Sequence, residues 1–358
     1  MQPRLALTSI LVPLLVIAAA ITAGRWAGGE VAADTRSSLT AALDALPDDT
    51  SVASFTDWSQ IRAELDLGSA TTPADRAALT DDALLRDLTT RSVLGQYTEE
   101  MHDVYGWSPA DLEWEAYGQA ADGAAMIASL DRSVSFSTVR SRLKDLGYAE
   151  DGGVWSLGAD DATTEAGVEL TSTLGSIALL PRQRLIVAAD RSAYVSTVLK
   201  TVDGEAMSLL SVRSVSGVAA ALAGADTALL QSGPFTCETT SLRDAGPEVA
   251  AQARAAIDRA GGLVRPSFTG RALDGGSSST ETMRFALAFA SPEVAARQLR
   301  AREALASGPF IGRSGRIEES LVLRSSAVQG STMALRFRHD PDSVPYMTGE
   351  GPLVFAGC

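Results

Sequence analysis

Between residues 124 and 190 the chain runs through a strand, a helix and then strands joined in hairpins, and the same order returns between 282 and 338. In the first stretch, Ala124–Leu130 is a short apolar run, which reads as a buried strand. Phe136, Val139, Leu143 and Leu146 follow at helical spacing, with Gly147 as the stop. Val154–Leu157 and the pair Ser176–Leu180 and Leu185–Ala189, around the turn 181–184, complete it, and Ser192 caps a further helix ending near Gly204. In the second stretch, Ala225–Gln231 reads as a strand and Pro247–Ala260 as a helix closed by Gly261-Gly262. Ser267–Leu273 pairs with Thr282–Ala290. A helix opens at Ser291-Pro292 and ends at Gly308, and Ile317–Arg324 and Thr332–Arg338 close the chain as a hairpin. Strands that return through short turns must pair antiparallel, so the expected class is α+β: antiparallel sheet with packed helices.

Two short words also recur. Pro247-Glu-Val-Ala-Ala251 returns at Pro292–Ala296, and Ser232-Gly-Pro-Phe235 at Ser307–Phe310. One reading is a duplicated strand–helix–hairpin unit with halves 51–210 and 211–358; the other is chance repetition in an Ala-rich chain. Ahead of these units, Ser51–Trp58 alternates as a strand and leads into a helix capped by Asp57 or Ser59. Residues 69–120 read as helices and loops, with helix starts at Pro73, Asp81 and Ser108-Pro109.

Leu5–Ala23 is a run of 19 residues without charge, following Arg4. About 20 apolar residues span the hydrocarbon core as a helix. Its length favours an uncleaved single-pass anchor over a signal peptide, whose apolar region is about 7–15 residues. Cleavage after Ala18-Ala19-Ala20 or Val31-Ala32-Ala33 is the alternative, giving a secreted protein. Residues 1–30 are thus the anchor or signal segment, 31–50 a linker, and 51–358 an extracytoplasmic ectodomain. Cys237 and Cys358, the two cysteines, are expected to pair in that oxidising compartment; the alternative is two free thiols.

The stretch Ala45-Leu-Pro-Asp-Asp-Thr50 through Phe55-Thr-Asp-Trp58, with Arg far exceeding Lys, resembles actinobacterial membrane-anchored or exported proteins of unknown function. The resemblance implies a cell-envelope location and carries no catalytic residue with it.

The formal charge is −14, which argues against a nucleic-acid partner. Two His, two Cys and no Asn leave no donor set for a His-rich metal site or a multi-Cys zinc module. No Gly-x-Ser-x-Gly elbow occurs. Ser141-Arg-Leu-Lys144 lacks the companion motifs of a penicillin-binding enzyme. His339-Asp-Pro-Asp342 reads as a turn and His102 as a helix-surface residue. No catalytic residue, metal or cofactor is therefore assigned.

One window stands out. Residues 92–131 hold eight acids, no Lys or Arg, and five aromatics, whereas 243–338 hold 14 Arg against 9 acids. Trp107, Trp114, Tyr105, Glu113 and Glu115 are the candidate binding residues, for a cationic envelope protein or a glycan. The competing reading makes the aromatics core and the acids a solvated rim. The function expected is binding or structural interaction at the envelope. A carrier of a lipid or other apolar ligand is the first alternative, and a hydrolase with dispersed catalytic residues the second.

Overall fold

The computed structural model describes residues 37–158, 173–236, 240, 245–276, 281–343, 345–347 and 353–358. The anchor candidate Leu5–Ala23 and Cys237 lie outside them. No helix among the described residues is long and apolar enough to cross a membrane.

The first elements among the described residues are α1 (Ser38–Ala45) and β1 (Val52–Thr56), then α2 (Trp58–Glu64), α3 (Pro73–Leu85) and α4 (Thr98–Tyr105). β2 (Leu112–Ala120), β3 (Gly123–Leu130), α5 (Phe136–Asp145), β4 (Ala149–Asp151), β5 (Val154–Ser156), β6 (Ser176–Leu180) and β7 (Leu185–Ala189) follow. Next come α6 (Ser192–Val202), α7 (Arg213–Ala221), β8 (Thr227–Ser232), α8 (Pro247–Ala260), β9 (Phe268–Asp274) and β10 (Glu281–Ala288). The last elements are α9 (Pro292–Leu305), β11 (Leu321–Gln329) and β12 (Thr332–His339).

Among the described residues the strands form one 12-stranded sheet in the order β11-β12-β10-β9-β8-β1-β2-β3-β7-β6-β5-β4. Every neighbouring pair is antiparallel. At its centre β1 pairs β8, with Ser54 opposite Leu229. Outward from that pair both directions follow one plan. A first strand (β1 or β8) pairs a second (β2 or β9), which pairs a third (β3 or β10). A helix (α5 or α9) then crosses over, and a returning strand (β7 or β12) pairs the third. The first half adds the hairpin β4–β5 at its edge. The repeated words do not follow this plan: Pro247 opens the helix before the second strand, Pro292 the helix after the third.

Successive strand residues face opposite sides, and the apolar layers obey this. Met126, Ala128, Phe285 and Phe337 face one layer, with Trp58, Leu79, Val139 and Leu305 from helices above them. Ala125, Ile127, Ala228 and Ala286 face the other, closed by α1, α6 and α7 through Leu43, Val195 and Val218. The second layer is thin because small residues let the helices approach. A Cβ on Gly270 would come within 2.6 Å of Leu222 and 2.7 Å of Val218, and one on Gly123 within 2.6 Å of the Tyr194 ring.

Three sequence expectations are corrected. Leu112–Ala120, read as part of a helix-and-loop region, is the long strand β2. Asp81 does not open a helix but lies inside α3, which Thr72 starts with a capping box. Arg213–Ala221, not anticipated as a helix, is α7.

Candidate functional site

The acidic, aromatic window lies in the interior. Tyr105 and Trp107 are fully buried and Trp114 is 8% exposed. The Tyr105 hydroxyl lies 3.3 Å from that of Tyr148, which donates to the Leu174 carbonyl at 2.8 Å. Glu115 is buried and accepts from Ser92 Oγ (2.6 Å), the Val93 amide (2.8 Å) and Trp58 Nε1 (3.1 Å). Burial pushes its carboxyl above the ordinary range, and those three donors pull against the shift. Half-buried Glu113 is raised by burial and by Asp131, which is itself held down to about 2, chiefly by Ser133. These side chains brace β2 against α2 and the segment before α4. The expectation of an open surface built from them is corrected: each apolar ring is packed, and the buried acid serves loop amides.

The other sequence candidates also resolve into structure. Lys144 lies over the Trp155 ring, 5.9 Å from its centroid, and Ser141 is exposed on α5. His102 is half-buried, its Nδ1 3.9 Å from Asp111. Cys358 is bonded rather than a free thiol. Thr240, three residues beyond Cys237, donates to the Ala356 carbonyl at 3.4 Å.

Sequence spacing missed two constellations because their members are far apart in the chain. In the first, His339 Nδ1 lies 2.7 Å from Glu281 Oε2, both buried, and Nε2 lies 3.3 Å from Ser343 Oγ. Ser343 also donates to the Asp340 carbonyl at 2.6 Å, so its hydroxyl closes the turn as well. In the second, Asp226 accepts from the Gly275 amide (2.5 Å) and Glu64 from the Gly276 amide (3.0 Å). The two carboxyls share a hydrogen bond, and Arg86 approaches Glu64 at 3.8 Å. Burial first, and the Glu64 charge second, push Asp226 up to about 8. No group of three or more His, Cys, Asp or Glu among the described residues could hold a metal ion.

A concavity lies between α8 and the end of α9. Pro at the first helical position, Glu248 in the first turn, Arg259 in the last and left-handed Gly261 beyond it make α8 a well-marked helix. Its inner stripe is small, and Ala253 is its one fully buried residue. Val249, Ala256, Ile257 and Ala260 are half-buried. By contrast α9 sinks Ala295, Gln298, Ala301, Arg302 and Leu305. The buried Arg302 guanidinium donates to the carbonyls of Phe355 (2.7 Å), Gly357 (2.8 Å) and Val264 (3.1 Å). It thereby fixes α9, the segment after α8 and the C-terminus together. Between the two helices opens a cleft of about 470 Å³, lined by Gln252, Ala256, Arg259, Leu305, Pro309 and Ile311. Leu305, Pro309 and Ile311 also border a small void against Leu353, Val354 and Phe355, so the apolar wall continues toward the core. A cleft of this size admits a small ligand, with an aliphatic floor for an apolar chain and Arg259 and Gln252 for a polar end.

No protein-family model matches the chain, and no curated protein matches it. Among solved structures, crystal form I of TP0453 is similar over 84% of this chain and 94% of that one, at 8% identity and a TM-score of 0.34. Crystal form III is similar over the same shares at 7% identity and a TM-score of 0.37.

Proposed function

We propose that this chain is an envelope-anchored extracytoplasmic binding protein that carries a small amphiphile in the cleft between α8 and α9. The observation that carries the reading is the 470 Å³ opening beneath a helix with one fully buried residue. A helix seated so lightly can separate from α9 at small cost, since few apolar contacts must break. An aliphatic tail would lie on Leu305, Pro309 and Ile311, and an acidic head would meet Arg259. Titration with a fluorescent fatty acid, followed by native mass spectrometry, tests this. Ala256→Trp should fill the cleft and abolish binding while the fold is kept. Binding that survives the substitution, or no binding by the parent protein, would defeat the proposal.

The anchor, the disulfide and the duplication belong to the same reading. Leu5–Ala23 holds the protein in the cell membrane with the rest outside, and a mature N-terminus at Ile21 or Asp34 would defeat that. Cys237 pairs Cys358; Thr240 against Ala356 supports it, as does the bonded state of Cys358. Alkylation of unreduced protein should find no free thiol. The shared plan of the two sheet halves supports descent from one unit.

A second reading, a hydrolase, rests on Ser343, His339 and Glu281, whose spacing has the hydroxyl–imidazole–carboxylate order of a nucleophile, base and orienting acid. A fluorophosphonate probe that labels Ser343, and fails on His339→Gln, would favour it over the carrier.

A further inference from the structure

The sheet face beneath α7 carries an unusual pairing. Arg284 on β10 and Arg336 on β12 are direct cross-strand partners, and Arg338 stands next on the same side, opposite Thr282. Like charges placed opposite one another on adjacent strands repel. Among the described residues, the carboxylate in ion-pair contact with them is Asp274, which binds Arg284. One acid against three guanidiniums leaves an excess of positive charge, in a chain whose net charge is −14. Arg284 is held in place: it donates to the Ala221 and Ala223 carbonyls at 3.3 and 3.0 Å and so caps the end of α7. Its Nε, like that of Arg338, is buried without a hydrogen-bond partner.

This arginine pair heads a groove of about 270 Å³ between α7 and the sheet edge. Its floor is laid out in ranks by the strand register. Arg336 stands beside Ser325, Ala334 beside Ala327, and Thr332 beside Gln329. Gly217 and Ala221 of α7 form the wall. The groove is therefore cationic at one end, small and flat in the middle, and rich in hydroxyl and amide groups at the other. We propose that it binds a phosphate group, with the phosphate on Arg284 and Arg336 and the attached alcohol toward Thr332 and Gln329. Two arginines at paired register positions, both lining the groove, supply the positive charge that the acceptor oxygens of a phosphate ester require. The ester could be a free metabolite or a phospholipid headgroup, and the two sources share this chemistry. The site lies apart from the α8/α9 cleft and does not depend on it.

Calorimetric titration of the full chain with glycerol 3-phosphate and with dihexanoyl-phosphatidylglycerol tests the proposal. The expected result is binding of at least one, weakened about tenfold or more by Arg336→Gln, at an exposed position. Ala327→Trp, also at an exposed position, should block the groove and give the same loss. Arg324→Gln, on β11 outside the groove lining, should change nothing. Binding of glycerol 3-phosphate at least as tight as the lipid identifies a free ester, and binding of the lipid alone identifies a headgroup. Binding of neither overturns the site. So does an equal loss in Arg324→Gln, which would mark diffuse surface charge.

Discussion

Asp226→Asn should reshape the pH dependence of stability. Asp226 lies at the start of β8, where its carboxyl accepts from the Gly275 amide and shares a proton with Glu64. Its folded value of about 8 stands well above the 3.8 of an exposed aspartate. Below pH 4 both states hold the proton and nothing is lost. Between pH 4 and 8 the unfolded chain releases it while the folded chain keeps it, so stability falls as pH rises. One retained proton costs about 1.4 kcal/mol per pH unit. Over the whole shift the ceiling is about 6 kcal/mol. Glu64 shares the proton and partial solvation relaxes the site, so about 3 kcal/mol between pH 5 and 8 is a sounder expectation. Asn keeps an oxygen for Gly275 and an N–H for Glu64, and it cannot ionise.

The two proteins should therefore match within about 1 kcal/mol near pH 5, and the variant should be about 3 kcal/mol more stable near pH 8. Urea unfolding followed by tryptophan fluorescence, at half-unit pH steps, measures this. General acidic self-repulsion also destabilises the folded chain as pH rises, but it acts on both proteins and cancels in the difference. Parallel curves across pH 5–8 would refute the reasoning, since they would mean that Asp226 ionises in the folded protein as readily as in the unfolded one.

Three further outcomes are expected. Trp107→Ala should destabilise by about 3–5 kcal/mol, because a fully buried indole leaves a cavity; urea midpoints check it, and a loss under 1 kcal/mol would return the residue to the surface. Arg302→Met should cost about 2–4 kcal/mol, since the carbonyls of Phe355, Gly357 and Val264 lose a charged donor. Hydrogen exchange at residues 353–357 should rise in that variant, and unchanged protection there would show that the C-terminus does not depend on it. Gly270→Ala should cost about 1–3 kcal/mol by pressing α7 away from the sheet, and a neutral effect on thermal unfolding would mean that α7 can shift freely.

Short apolar runs bounded by turns were legible: β3, β7, β9 and β10 lie within a residue or two of where the sequence puts them. β2 was not, although Leu-Glu-Trp-Glu-Ala alternates cleanly, because acids at every second position read as a solvent face. Glu115 instead points inward and is satisfied by Ser92, Val93 and Trp58. Those partners come from segments that sequence spacing cannot bring to it. α7 was hidden for a different reason. Its Ser and Gly217 lower intrinsic helix preference, and what stabilises it is the fit of Val218 and Leu222 over Gly270, a tertiary contact.

The cleft was beyond the sequence for a reason that the recurring word exposes. Pro-Glu-Val-Ala-Ala opens both α8 and α9, and in each it does the same local work: Pro at the first position, an acid against the helix dipole, and good helix formers after it. That word specifies a helix start and nothing about what the helix covers. The divergence comes one to three turns later. α9 continues with Gln298, Leu299, Arg302 and Leu305, long side chains that reach the core, the segment after α8 and the C-terminal segment. α8 continues with Ala253, Ala256, Ile257 and Ala260, mostly too short to fill the space above α9. A helix with a shallow stripe, laid on a helix already committed to the sheet, leaves volume between them. The opening is thus a consequence of side-chain length at five or six inward positions, and Ala256→Trp tests function and packing at the same position.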